Sequence, residues 1–194
     1  MSLRQQESLS GNLQRRRYKT MNYRLASTDD FGEIVGMYRS AIDAMIADGI
    51  MQWDEIYPTA DDIRKDIETQ EMYVGLKDSQ ICVAYTINKD CDAQYQNASW
   101  VGGINYIVVH RLCVAPEFQH QHIARETMQH VHNECREYGI KAVRLDAFTE
   151  NPYALALYEN LGYQKRGEAE WRKGKFNLYE IVLKEEIINT ISSS

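Results

Sequence analysis

An alternating run, Ile107-Val108-Val109-His110-Arg111-Leu112-Cys113-Val114, stops just before Pro116, and after a polar turn containing His120 and His122 a helical apolar period begins at Ile123. The spacing predicts a strand that feeds a helix N-terminus through a short turn. Strand alternation puts Val108, His110, Leu112 and Val114 on one face and their odd-numbered neighbours on the other. The first turn of the helix has backbone N–H groups without intrahelical acceptors, so the turn is equipped to receive an anion. The rest of the chain is arranged around this unit.

Residues 1–20 are rich in Gln, Ser and Arg, with the run Arg15-Arg16-Arg17, and have too little apolar content to offset the entropy of ordering. They are expected to form a disordered tail, and 189–194 a short C-terminal tail, leaving one domain over 21–188. Asn22 to Leu25 alternates like a short strand. Ser27-Thr28-Asp29-Asp30 supplies cap-competent residues before Phe31, Val35, Tyr38, Ile42 and Met45 recur at helical spacing, and Gly49 closes that helix. The connection Met51 to Pro58 carries large side chains, Trp53 and Tyr57 among them, which either cover helix ends or wall a substrate site.

Thr59 and Asp62 are spaced to cap a second helix reciprocally. Met72–Leu76 and Cys82–Ile87 read as a hairpin, and Lys89–Ile104 as a long loop or strand extension around Trp100. Past the central unit, the helix from Ile123 runs to Gly139 and Lys141–Phe148 is a strand. Asn151-Pro152 then opens a short helix that Gly162 closes, with an asparagine cap, proline at the first helical position and glycine just beyond the end. Tyr163–Trp171 and Phe176–Leu183 are two last strands joined by the basic turn Arg172 to Lys175. The order β-α-α-β-β-β-α-β-α-β-β describes an α/β fold with a mixed, mainly antiparallel central sheet and helices on both faces.

With 194 residues, of which 44% are hydrophobic, the chain suits one well-packed core. A net charge of -6 argues against a nucleic-acid-binding protein and is compatible with a cationic or amine-bearing partner. Cys82, Cys91, Cys113 and Cys135 show no C-x-x-C spacing, which fits a reduced, cytoplasmic setting. No apolar run reaches membrane-spanning length and the N-terminus lacks an apolar signal core, so no membrane association is expected.

Two segments carry a family resemblance. Arg111-Leu112-Cys113-Val114-Ala115-Pro116-Glu117-Phe118-Gln119, and later Asn151-Pro152-Tyr153-Ala154-Leu155-Ala156-Leu157-Tyr158-Glu159-Asn160-Leu161-Gly162-Tyr163, resemble the central strand and the later helix motif of the GNAT acetyltransferase superfamily. The resemblance covers roughly residues 21–185. It implies an N-acetyltransferase that moves acetyl from acetyl-CoA to an amine, small molecule or peptide, by direct attack in a ternary complex without a metal. A homodimer is compatible with it.

On the matched positions, the backbone of Leu112, Cys113 and Val114 would pair with the pantetheine arm and polarise the thioester carbonyl. Gln119, His120, Gln121, His122, Ile123 and Ala124 would wrap the pyrophosphate. Tyr158 would protonate the departing thiolate, and Asn151 would bind along the CoA arm. Trp53 and Tyr57 stand as candidate substrate-binding residues.

The chain departs from the family pattern in that turn, where His122 and His120 occupy positions that are usually glycine. The resemblance also places an acidic general base on the central or next strand. Val108 stands where some relatives carry glutamate, which leaves His110, on the same face, and Asp146, on the following strand, as alternative bases beside water. The bland readings are a hydrogen-bonded core histidine for His110, a loop cap for Asp146 and a core tyrosine for Tyr158. A zinc reading of the histidines does not work, because His130 and His132 lie about 200° apart around a helix. The second functional class is a GNAT-fold module that binds CoA or another ligand in a regulatory role with little turnover.

Overall fold

The computed structural model describes residues 21–184. The expected tails, 1–20 and 189–194, lie outside the described residues, as do 185–188 at the end of the expected domain. The elements follow the predicted order: β1 (Asn22–Leu25), α1 (Phe31–Ala47), α2 (Ala60–Glu68), β2 (Met72–Lys77), β3 (Gln80–Asn88), β4 (Tyr106–Val114), α3 (Ile123–Glu137), β5 (Ala142–Phe148), α4 (Pro152–Asn160), β6 (Gln164–Trp171) and β7 (Gly174–Val182).

Local chemistry sets the boundaries. The Asp30 carboxylate accepts from the Ser27 backbone N–H at 2.7 Å ahead of α1, and Arg24 grips it with two nitrogens. Thr59 and Asp62 do cap α2 reciprocally, at 2.8 and 3.1 Å. Asn151 Oδ1 accepts from Ala154 N–H at 3.0 Å to start α4, with Pro152 in its first turn. Gly139 and Gly162 follow α3 and α4 at φ of 71° and 92°, the left-handed backbone that ends a helix.

The seven strands form one sheet in the order β1-β2-β3-β4-β5-β7-β6, antiparallel throughout except for β4 and β5, which run parallel. Helices α1 and α2 cover one face, where Ile34, Tyr38, Ile63 and Ile67 pack on Met72, Val74, Ala84 and Cys113. Helices α3 and α4 cover the other, where Met128, Val131 and Tyr158 pack on Val109, Val143, Leu145 and Tyr179.

The expected alternation along β4 breaks in the middle. Between its pairings with Thr86 and Ala84, β3 advances two residues while β4 advances three, from His110 to Cys113. The extra residue is a β-bulge, with Arg111 at φ 53°. Val108 and His110 therefore point to the α1–α2 side, as expected together, but Leu112 and Val114 are turned to the α3 side and Cys113 takes their place against α1. Of the two readings of Lys89–Ile104, the long loop holds: it is folded around a 3₁₀ turn, Ala93–Asn97. One turn changes. The final hairpin turn is only Arg172-Lys173, because Trp171 pairs directly with Gly174.

Candidate active site

β4 and β5 lie side by side only where Tyr106, Ile107 and Val108 meet Ala142, Val143 and Arg144. β5 continues to Phe148 paired with β7, while β4 leaves it. From Val109 onward β4 therefore presents to β5 an edge with no strand partner among the described residues. The opening holds a cavity of about 470 Å³ lined by β4 residues 109–114, Asp146 and Tyr158. A groove of about 890 Å³ adjoins it and runs to the start of α3, and Leu112, Val114, Gln119, Asn151 and Tyr158 border both spaces.

The expected CoA-binding residues do not all face this passage. Leu112 and Val114 line cavity and groove, while Cys113 lines the cavity only. His120, His122, Ile123 and Ala124 border the groove. Gln121 borders neither: its Oε1 accepts from Lys77 Nζ at 2.8 Å and its Nε2 donates to the Glu117 carbonyl, so its side chain braces the turn. Gln119 Nε2 donates to the Val114 carbonyl at 3.3 Å. Asn151 is buried and doubly engaged, capping α4 and donating from Nδ2 to Gln52 Oε1 at 2.8 Å.

His120 and His122 both adopt left-handed backbone, φ 58° and 63°, and His122 is the residue immediately before α3. This accounts for the usual glycine: the turn needs positive φ there, which glycine adopts without strain. The first intrahelical bond of α3 runs from Glu126 N–H to the His122 carbonyl, so the N–H groups of Ile123, Ala124 and Arg125 have no intrahelical acceptor. The turn keeps the positive-φ backbone and the free first-turn N–H groups without the glycines.

Both base candidates line the cavity, in different states. His110 Nε2 lies 2.9 Å from Asn88 Oδ1, and burial, helped by the neighbouring Arg111 charge, lowers its pKa to about 4. It is a neutral, hydrogen-bonded histidine. Asp146 is half-buried, and burial raises its pKa above the usual carboxylate range. Its Oδ2 accepts from Tyr95 Oη at 2.8 Å. Tyr158 is 7% exposed, its ring edge-on to Tyr163 at 5.6 Å, and burial pushes its hydroxyl pKa well up, so it is a proton donor at neutral pH.

Trp53 is both core and wall: it is buried against Tyr38 at 5.7 Å and lines the cavity. Tyr57 also lines it, and its hydroxyl accepts from Arg111 Nη1 at 2.8 Å. The remaining Arg111 nitrogens hold Asp66, which also accepts from Thr86 Oγ1 at 2.6 Å. At the mouth, Asp54 binds Arg172 with both oxygens, at 2.7 and 2.8 Å, and Lys173 at 3.2 Å, tying the α1–α2 connection to the β6–β7 turn.

Arg111, Asp66 and Tyr95 were not among the expected site residues. Arg111 reads as an ordinary strand residue unless the bulge is known, and Tyr95 sits in a segment without periodicity. The other histidines serve packing: His132 Nε2 is 2.8 Å from Tyr163 Oη, and His130 stacks on Tyr23 at 4.0 Å.

Fold and cleft define a class, the α/β domain whose parallel strand pair splays apart beside a helix start with free N–H groups. A sequence model of the Acetyltransferase (GNAT) family matches residues 38–163, and the chain belongs to that family. No protein of curated description matches it. Among solved structures, it is similar to a GNAT-family acetyltransferase from Streptococcus agalactiae, with TM-score 0.74, 22% identity, and 86% of this chain and 96% of that one covered. YncA, a putative acetyltransferase from Salmonella typhimurium solved with acetyl-CoA, matches at TM-score 0.62 and 16% identity over 87% and 96% of the chains. PaiA N-acetyltransferase from Thermoplasma acidophilum in complex with coenzyme A matches at TM-score 0.63 and 15% identity over 84% and 98%.

Proposed function

We propose that the protein transfers acetyl from acetyl-CoA to an amine by direct attack in a ternary complex. The observation that carries this reading is that Asp146 and Tyr158 face one cavity, at the point where β4 leaves β5. Acetyl-CoA enters as the acyl-donor substrate, its phosphates at the start of α3 and its pantetheine along the free edge of β4 at Leu112, Cys113 and Val114. Two similar structures were solved with coenzyme A or acetyl-CoA, which supports the choice of donor.

The Asp146 carboxylate takes a proton from the amine nitrogen, which attacks the thioester carbonyl carbon. Backbone N–H groups of β4 stabilise the oxyanion. As the carbon–sulfur bond breaks, the Tyr158 hydroxyl gives its proton to the thiolate. Asp146 is favoured over His110 because its bond to Tyr95 occupies one carboxylate oxygen and leaves the other, whereas the histidine's Nε2 is tied to Asn88. Trp53 and Tyr57 wall the acceptor end, which suits an amine on a small molecule or on a peptide.

Release of free CoA in the presence of an amine panel tests the reading. Wild type is expected to turn over, and Asp146→Asn and Tyr158→Phe to lose roughly 10²-fold or more in kcat. Binding of acetyl-CoA without release for any amine would instead support a binding module.

A further inference from the structure

The segment between β3 and β4 is held more firmly than a connecting loop requires. Gln94, in the 93–97 turn, uses its side-chain amide as a strand residue uses its backbone: Nε2 donates to the Glu170 carbonyl at 2.6 Å and Oε1 accepts from the Glu170 N–H at 2.8 Å. The Tyr95 ring lies 5.6 Å from Trp100 and 6.4 Å from Trp171, and the Trp100 indole N–H donates to the Tyr95 carbonyl at 2.9 Å. Gly167 on β6 has no room for a side chain, since a Cβ there would stand 2.8 Å from both Ala98 Cα and the Asn97 carbonyl oxygen. The turn is thus pressed onto the sheet edge, and it brings to the cavity wall Asp92 and the Tyr95 hydroxyl, which donates to Asp146.

We propose that Tyr95 is a positioning residue for the transfer: its hydroxyl holds one oxygen of the Asp146 carboxylate and leaves the other to the incoming amine. This rests on the reading of Asp146 as general base. The groups facing Asp146 are Arg111 from β4, Tyr57 from the α1–α2 connection, Cys91 and Asp92 beside the turn, and Tyr158 from α4. Arg111 and Tyr95 favour the charged carboxylate, while burial and Asp92 oppose it. Tyr95 is the contributor that can be removed while retaining its packed ring.

The test is Tyr95→Phe, with thermal denaturation to verify folding and two titrations. The first follows the Asp146 carboxyl by ¹³C NMR, and the second the acid limb of kcat/KM for the best amine found. The hydroxyl stabilises the anion, so its loss should move both midpoints to higher pH by about one unit or more. The rate should fall about tenfold below the new limb and recover above it. Gly167→Ala, which displaces the turn without entering the cavity, should shift both titrations in the same direction. An unmoved NMR titration in Tyr95→Phe overturns the positioning role, whatever the activity. A moved NMR titration with Asp146→Asn still fully active keeps the coupling and overturns the general-base reading on which the proposal rests.

Discussion

The Tyr38 hydroxyl donates a 2.5 Å hydrogen bond to the backbone carbonyl of Arg111, across 73 residues of sequence. Arg111 is the bulged residue of β4, and Tyr38 is a fully buried residue of α1. The carbonyl that the bulge turns out of regular pairing thus finds its donor in the helix packed over it, so the bulge is satisfied. Tyr38→Phe keeps the packing but removes that donor. It should cost about 1–2 kcal/mol of stability and weaken acetyl-CoA binding, because the strand edge it steadies is the edge proposed to pair with pantetheine. Chemical denaturation and calorimetric titration check both parts, and unchanged values would mean the bulge holds itself.

Asp66 gives a larger effect. It is 4% exposed, and its Oδ2 takes Thr86 and two nitrogens of Arg111. Asp66→Asn leaves the Arg111 charge inside without its counter-ion, a change expected to cost about 3–5 kcal/mol. Replacing both members, Asp66→Leu with Arg111→Met, should recover most of that loss in denaturation experiments, since the pair gains little over well-packed apolar groups. Failure of the double variant to recover would show that the pair also dictates the shape of the bulge.

Element order and helix ends were legible because they are written in short-range chemistry: the Thr59–Asp62 cap, Asn151-Pro152 and Gly162 act within a few residues. Leu112, Val114 and Tyr158 stood in the two motif segments and Asp146 on the strand between them, and all four line the cavity. The facing of Leu112 and Val114 was not, because the bulge depends on Tyr38 and Asp66, partners 73 and 45 residues away. Tyr95 was hidden for the same reason, since its turn is docked by Glu170 and Trp171 from a distant strand. The side-chain contact of Gln121 also escaped, because its partner Lys77 lies 44 residues earlier.

His122 gives a prediction in the opposite direction. At φ 63° it occupies backbone that costs an L-residue roughly 1–2 kcal/mol and costs glycine little. His122→Gly should therefore raise Tm by about 2–4 °C, the shift expected for about 1 kcal/mol in a chain of this size, with some of the gain lost to the greater freedom of unfolded glycine. Acetyl-CoA affinity decides what the imidazole does. Equal or tighter binding in the variant means that only the backbone serves the phosphates, whereas a tenfold loss means that the side chain is itself a ligand.

Acid sensitivity follows from two histidines on opposite sides of the sheet. His110 beside Asn88 and His132 beside Tyr163 are each lowered to about 4 from an ordinary value of 6.5, in both cases chiefly by burial. Their folded values lie below their unfolded ones, so as pH falls below 6.5 the unfolded chain takes up protons that the folded chain refuses. The stability they confer is complete above that pH and is lost as pH drops towards 4, up to about 3 kcal/mol for each. Asp146 acts in the other sense, because a raised carboxyl favours the folded state at low pH and loses that advantage as pH rises through its folded value. Between pH 6.5 and 5 the two histidines contribute a slope of up to two protons against the opposing Asp146, so unfolding free energy should fall with pH in wild type. His132→Gln keeps a partner for the Tyr163 hydroxyl but cannot titrate, so its slope should be smaller by up to one proton. An identical slope in the two proteins would place the acid sensitivity elsewhere.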